Sequence, residues 1–196
     1  MIKLKKLLKE ENILIPRRSP EEREKNYIIA IQRKIQQYIK DGSEGSLNLS
    51  GAPITSLPDN LTVNGEFNLM NTKITSLPDN LTVTDGLYLN NTPITSLPNN
   101  LTVGGGLFLN KTKITQLPDN LTVNGSLILR GTKITQLPDN LTVNGTLSLT
   151  GTKITQLPDN LTVKRDLDLR NSPISKKYTK EQLRQMLPGV KGEIYL

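Results

Sequence analysis

The segment Ile114-Thr115-Gln116-Leu117-Pro118-Asp119-Asn120-Leu121-Thr122-Val123 recurs almost unchanged at residues 134–143 and 154–163, and as ITSLPDNLTV or ITSLPNNLTV from Ile54, Ile74 and Ile94. The copies thus start at Ile54, Ile74, Ile94, Ile114, Ile134 and Ile154, and the interval never changes. A fixed period of this length is met by a stack in which each unit buries its apolar side against the next copy of itself. The chain is therefore expected to form a solenoid.

Each unit has the form L-x-L-x-x-T-x-I-x-x-L-P-x-x-L-x-V-x-G-x. The alternating pairs Leu47/Leu49, Phe67/Leu69, Leu87/Leu89, Leu107/Leu109, Leu127/Leu129, Leu147/Leu149 and Leu167/Leu169 predict short strands with leucines inward, stacked in parallel. A turn follows with Thr72, Thr92, Thr112, Thr132 and Thr152, replaced by Ala52 and Ser172 at the ends. A buried hydroxyl there is expected to satisfy backbone groups of its own and neighbouring coils. Ile114 and Leu117 turn inward again, and Pro118 fixes an extended path without a donor. That predicts a return wall of polyproline-like segments, since so short a unit leaves no room for a helix. Leu121 and Val123 re-enter the core. Gly65, Gly105, Gly125 and Gly145, with Asp85 and Arg165 as exceptions, predict positive φ at the turn into the next strand.

The ends depart from the repeat and are expected to cap it. Ser19-Pro20-Glu21-Glu22 is a helix start with a capping-box partner, and Ile28, Ile31, Ile35, Tyr38 and Ile39 follow at helical spacing until Asp41-Gly42. Lys3–Glu10 reads as a further short helix. Thr179–Leu187 predicts a helix closed by Pro188-Gly189, and Glu193-Ile194-Tyr195-Leu196 repeats the strand pattern as a final edge. The expected organisation is an N-terminal lead and capping helix over 1–45, repeats over 46–175 and a C-terminal cap over 176–196, in one cooperative domain.

Chemistry is sparse. Neither cysteine nor histidine occurs among the 196 residues, which removes disulfides, thiolate ligands, the cysteine nucleophile and the commonest general base. No enzyme activity, cofactor or metal is expected. The acids Asp59, Asp79, Asp119, Asp139 and Asp159 fall one per coil and read as a solvated face, as do Lys73, Lys113, Lys133 and Lys153. The six Asn-Leu-Thr triplets from Asn60 to Asn160 are read as products of the repeat rather than as glycosylation sites. The net charge of +7 sits at the ends: residues 1–45 carry 11 basic and 7 acidic side chains, residues 46–175 carry 9 of each, and residues 176–196 carry 5 and 2. A basic groove along the repeats is thus not expected. The lysine-broken N-terminus does not read as a signal segment, and no apolar run approaches the roughly 20 residues of a membrane span. A soluble cytoplasmic monomer is the expectation.

Core positions hardly vary between coils, so the informative residues are those that vary on the outer side of the strands. The middle of L-x-L reads Asn48, Asn68, Tyr88, Phe108, Ile128, Ser148, Asp168, and the residue after it reads Ser50, Met70, Asn90, Asn110, Arg130, Thr150, Arg170. Met70, Tyr88, Phe108 and Ile128 form an apolar centre on this concave face, with Asn90, Asn110 and Arg130 in its polar rim. This is the expected protein-binding site. The competing explanation is drift at tolerant β positions, since Tyr, Phe and Ile all favour strands.

The L-x-L-x-x-T-x-I-x-x-L-P pattern resembles a leucine-rich repeat, with threonine where asparagine is usual. Its LP dipeptide, its length and the preceding helix resemble the LPX-type repeats of secreted bacterial effectors, over about residues 20–175. The resemblance implies a leucine-rich-repeat solenoid with a concave parallel β-sheet, an extended convex face, a helical N-terminal cap and a helix-plus-strand C-terminal cap. It also implies a bacterial or phage product that binds or inhibits a host protein. The effectors' cysteine-dependent ubiquitin-ligase domain has no counterpart in this sequence. The four-residue step from Val123 to Leu127, in place of the usual three, keeps a parallel β-helix open as the alternative fold. Two other functions stay open. One is binding of nucleic acid or another acidic surface through the basic ends, at Lys5, Lys6, Arg17, Arg18, Lys176, Lys177 and Lys180. The other is self-assembly through the caps.

Overall fold

The computed structural model describes residues 19–119 and 121–196, and shows a parallel β-solenoid. The expected Lys3–Glu10 helix and the basic residues Lys5, Lys6, Arg17 and Arg18 lie outside the described residues. The chain enters through helix α1 (Pro20–Lys40). Ser19 accepts from the Glu22 amide while the Glu22 carboxylate accepts from the Ser19 amide, closing the capping box that the sequence predicts. Ile31 and Ile35 are the buried residues of α1, with Tyr38 packed beside them. Ile39 stays exposed, as do Tyr27 and Ile29. The Tyr38 hydroxyl lies 2.7 Å from the carbonyls of both Ser43 and Gly45, tying the helix end to the first coil.

Each L-x-L supplies one two-residue strand: β1 (Leu47–Asn48), β3 (Phe67–Asn68), β5 (Leu87–Tyr88), β7 (Leu107–Phe108), β9 (Leu127–Ile128), β11 (Leu147–Ser148) and β13 (Leu167–Asp168). They pair in parallel, each with its counterpart in the next repeat, and β14 (Ile194–Tyr195) closes the series as an eighth strand. The cap helix α2 (Lys180–Met186) precedes β14, with a capping box between Thr179 and Gln182. A 3-10 turn at Pro173–Lys176, which the sequence does not announce, leads into it. Among the described residues no helix is long and apolar enough to cross a membrane.

A second parallel sheet of six strands stands where the sequence predicts only an extended return: β2 (Thr62–Val63), β4 (Thr82–Val83), β6 (Thr102–Val103), β8 (Thr122–Val123), β10 (Thr142–Val143) and β12 (Thr162–Val163). The physical reason lies in the valines. Val63, Val83, Val103, Val123, Val143 and Val163 are inward and at most 2% exposed, and the β-branched Thr-Val pair favours extended backbone. With identical coils in register, neighbouring amides and carbonyls meet, as in Thr102 N–H to the Leu81 carbonyl at 3.2 Å. The parallel β-helix alternative is consistent with this pair of sheets.

The core is a set of continuous columns of Leu, Ile and Val, most of them under 2% exposed. Each such side chain contributes roughly 1.5–3 kcal/mol on burial. Among them sits a column of hydroxyls. Thr72, Thr92, Thr112, Thr132 and Thr152 are buried and donate to the carbonyls of Leu69, Leu89, Leu109, Leu129 and Leu149 at 2.7–2.8 Å. Ser172 donates to Leu169 in the same way. These bonds stay within one coil, so the threonine closes its own turn rather than bridging to the next.

Positive φ falls elsewhere than predicted. Gly65, Gly105, Gly125 and Gly145 do not adopt it; it recurs just after the strand at Gly51, Asn71, Asn91, Lys111, Gly131, Gly151 and Asn171, and in the turn after Leu-Pro at Asn60, Asn80 and Asn140. What the four predicted glycines provide is room. A Cβ on Gly125 would stand 2.7 Å from the Gly105 carbonyl carbon, and one on Gly145 would stand 2.6 Å from that of Gly125. Where this column does carry a side chain the stack loosens. Asp85 and Arg165 reach the preceding coil at 3.3 and 3.2 Å, against 3.1 Å for Gly105 and 2.9 Å for Gly125 and Gly145.

The Asn-Leu-Thr asparagines form a side-chain ladder along the stack. Asn80 donates to Asn60 at 3.2 Å, Asn100 to Asn80 at 3.4 Å, and Asn160 to Asn140 at 3.2 Å. Their amides thus hold successive coils together.

Candidate functional site

The outer face of the eight-stranded sheet carries the side chains singled out from the sequence. Strand register aligns Tyr88 with Phe108 and Phe108 with Ile128, so the three stand side by side at about 4.8 Å per strand. The Tyr88 and Phe108 rings stack, with centroids 4.6 Å apart and planes within 1° of parallel. That separation matches the strand spacing, so the rings stack along the solenoid axis. The ring faces are turned toward neighbouring coils, and the ring edges are left toward solvent.

Both rings lean back along their own strands over a glycine. A Cβ on Gly86 would meet Tyr88 ring carbons at 3.1 Å, and one on Gly106 would meet Phe108 at 2.8 Å. In the other repeats this position is Ser46, Glu66, Ser126, Thr146 or Asp166, with no aromatic two residues later; in the closing strand β14 Glu193 takes it and Tyr195 follows. The pairing Gly86-Leu87-Tyr88 and Gly106-Leu107-Phe108 is legible in the sequence, but a reading of the repeat pattern passes over it. Tyr88 and Phe108 cover these glycines and are half-buried, as Met70 and Ile128 also are without a glycine two residues back. Glu66, also unforeseen, accepts from the Tyr88 hydroxyl at 2.9 Å. That bond pushes the hydroxyl pKa above its ordinary value, helped by burial and by the negative charges of Glu66 and Asp85.

Beside this apolar row runs a polar one. Met70 belongs to it by position, and its amide donates to Asn68 Oδ1. Asn90 and Asn110 are half-buried, and Asn90 Oδ1 accepts from the Asn110 amide at 2.8 Å. Asn110 Oδ1 is buried without a hydrogen-bond partner among the described residues. Arg130 is exposed and makes no ion pair among the described residues.

Arg170 occupies the same column two coils on and behaves differently. It grips Asp168 through Nε at 2.9 Å and Nη2 at 2.6 Å, and its guanidinium lies 5.6 Å from the Tyr195 ring centre. Burial pushes the Asp168 carboxyl up, but the hydrogen bonds from Arg170 and Thr150 outweigh it and hold the pKa below the usual range.

Of the basic ends, Lys176, Lys177 and Lys180 are exposed. Lys177 Nζ lies 4.9 Å from the Tyr178 ring centre and Lys180 Nζ 5.9 Å from that of Tyr195. A groove of about 510 Å³ lies elsewhere, between α1 and the first coil, lined by Ile28, Gln32, Ile35, Ile54, Leu57 and Pro58 among others. Among the described residues no three acidic side chains converge to hold a metal ion.

No protein-family model matches the chain, and no curated protein matches it.

Proposed function

We propose that the protein is a non-enzymatic scaffold of the leucine-rich-repeat type that binds another protein through the outer, concave face of its larger sheet. The observation carrying this reading is the apolar row. Tyr88, Phe108 and Ile128 stand on three adjacent strands, whereas at the same level the other repeats carry Asn48, Asn68, Ser148 and Asp168 and the closing strand carries Tyr195. Stacked rings flanked by an aliphatic side chain give a rigid surface of low conformational cost, the kind of centre on which interface energy concentrates. The repeat subtype rests on the resemblance of the L-x-L-x-x-T-x-I-x-x-L-P pattern. The same resemblance supports a bacterial or phage origin and a host protein as target.

The test is affinity capture from a host lysate at two salt concentrations, with wild type beside Tyr88→Ser/Phe108→Ser. The stack itself is worth about 0.5–1.5 kcal/mol beyond its burial, so circular dichroism must first show the variant folded. A salt-resistant partner present with wild type and lost with the variant is the expected result. Equal capture by both forms would refute the site. Retention of nucleic acid alone, released by salt and indifferent to the substitutions, would move binding to the basic ends around Lys176, Lys177 and Lys180.

A further inference from the structure

We infer that this face recognises a segment of a partner protein that carries a carboxylate beside an apolar side chain, and that Arg130 receives the carboxylate. The inference rests on the concave-face reading and names the partner's chemistry.

Two arginines share the column after L-x-L, and their neighbours two residues back decide what each can do. Arg170 has Asp168 there and is neutralised by it within its own coil. Arg130 has Ile128 there, so its strand supplies an apolar side chain in place of the acid. No other carboxylate among the described residues comes within ion-pairing distance. An unneutralised guanidinium directly beside an apolar row is a receptor for a group carrying both features.

Asn110 extends that receptor on the adjacent coil. Its Oδ1 is buried without a partner, and its side-chain nitrogen, a donor, makes no hydrogen bond among the described residues. Asn90 commits its Oδ1 to the Asn110 backbone, so its side-chain nitrogen is likewise the group left over. Arg130, Asn110 and Asn90 thus offer donors, in a row parallel to Ile128, Phe108 and Tyr88. The rings add to the same preference. With their faces stacked along the axis they present edges to solvent, and an aromatic edge carries partial positive charge that favours oxygen. Glu66 at the Tyr88 end sets the direction, because it repels a carboxylate and leaves the Arg130 end as its seat.

The probes are phenylacetate, benzyl alcohol and 2-phenylethylammonium, titrated into the 15N-labelled full chain and followed by amide chemical shifts. Phenylacetate should saturate shifts at residues 108–111 and 128–131, with benzyl alcohol and 2-phenylethylammonium each about tenfold weaker or worse, the worth of one charge-assisted contact. Arg130→Gln should bring phenylacetate down to the level of benzyl alcohol, while Arg170→Gln should leave its affinity unchanged. Equal binding of all three probes at these residues would overturn the acidic preference and leave the docking face standing. No saturable shift with any probe would remove the docking face as well. Phenylacetate binding that survives Arg130→Gln would overturn the role of Arg130.

Discussion

Lys111 occupies a backbone position that six other coils give to glycine or asparagine. Its φ is 57°, against 58° and 59° at Asn71 and Asn91 and 70° at Gly131. A residue with an ordinary Cβ is destabilised by about 1–2 kcal/mol in the left-handed region. Asparagine loses less, because its short polar side chain tolerates that geometry. Lys111→Asn should also lengthen a bond series already present, since Asn91 donates to Asn71 at 3.1 Å and a new amide would stand one coil further along. Strain relief and one exposed hydrogen bond together predict a gain of about 1 kcal/mol. Lys111→Gly relieves the strain more fully but loses about half of the gain to unfolded-chain entropy, leaving about 0.5 kcal/mol. Lys111→Gln removes the charge and keeps the Cβ, so it should be neutral. The assay is urea unfolding followed by far-ultraviolet circular dichroism at fixed protein concentration. A higher midpoint at unchanged slope in the order Asn, Gly, then Gln level with wild type is expected. If Gln stabilises as much as Asn, the effect is one of charge and the strain argument is wrong.

Other consequences follow from the same geometry. Thr112→Val keeps the shape and removes the hydroxyl bond to the buried Leu109 carbonyl, which retains the Thr112 amide as donor, and should cost about 0.5–1.5 kcal/mol in the same assay; the exposed Thr115 should tolerate valine nearly unchanged. Gly125→Ala drives a Cβ against backbone of the preceding coil and should cost about 1–3 kcal/mol, read as a drop in melting temperature. Asp168 has a carboxyl pKa held below its ordinary value of 3.8 in the folded state. Its stabilisation is therefore fully present above that value and is lost as pH falls through the lower folded pKa. Asp168→Asn should flatten the acid limb of a stability–pH profile and leave the profile near neutral pH level.

The repeat alone determined that the chain is a solenoid and which residues fill its core. Identical units can only stack in register, and the L-x-L, Ile, Leu and Val positions announce their inward direction by type and spacing. The capping boxes at Ser19 and Thr179 were equally legible, because they are local hydrogen-bond patterns written within four residues. The candidate site was legible as a list of varying outward positions, and no further.

Only the tertiary structure decided what joins one coil to the next. The second sheet arises because Thr-Val segments of successive repeats come within hydrogen-bonding distance, which no single repeat contains. The glycines before the strands proved to answer a shortage of space between coils, a quantity absent from a local reading of φ. The packing of Tyr88 and Phe108 sets each ring over a glycine, Gly86 or Gly106, and against the other ring. The difference between Arg130 and Arg170 has its cause in the sequence, as Ile128 against Asp168. It became chemical only when the pleat put residues two apart on one face, where a carboxylate neutralises one guanidinium and an isoleucine leaves the other unpaired.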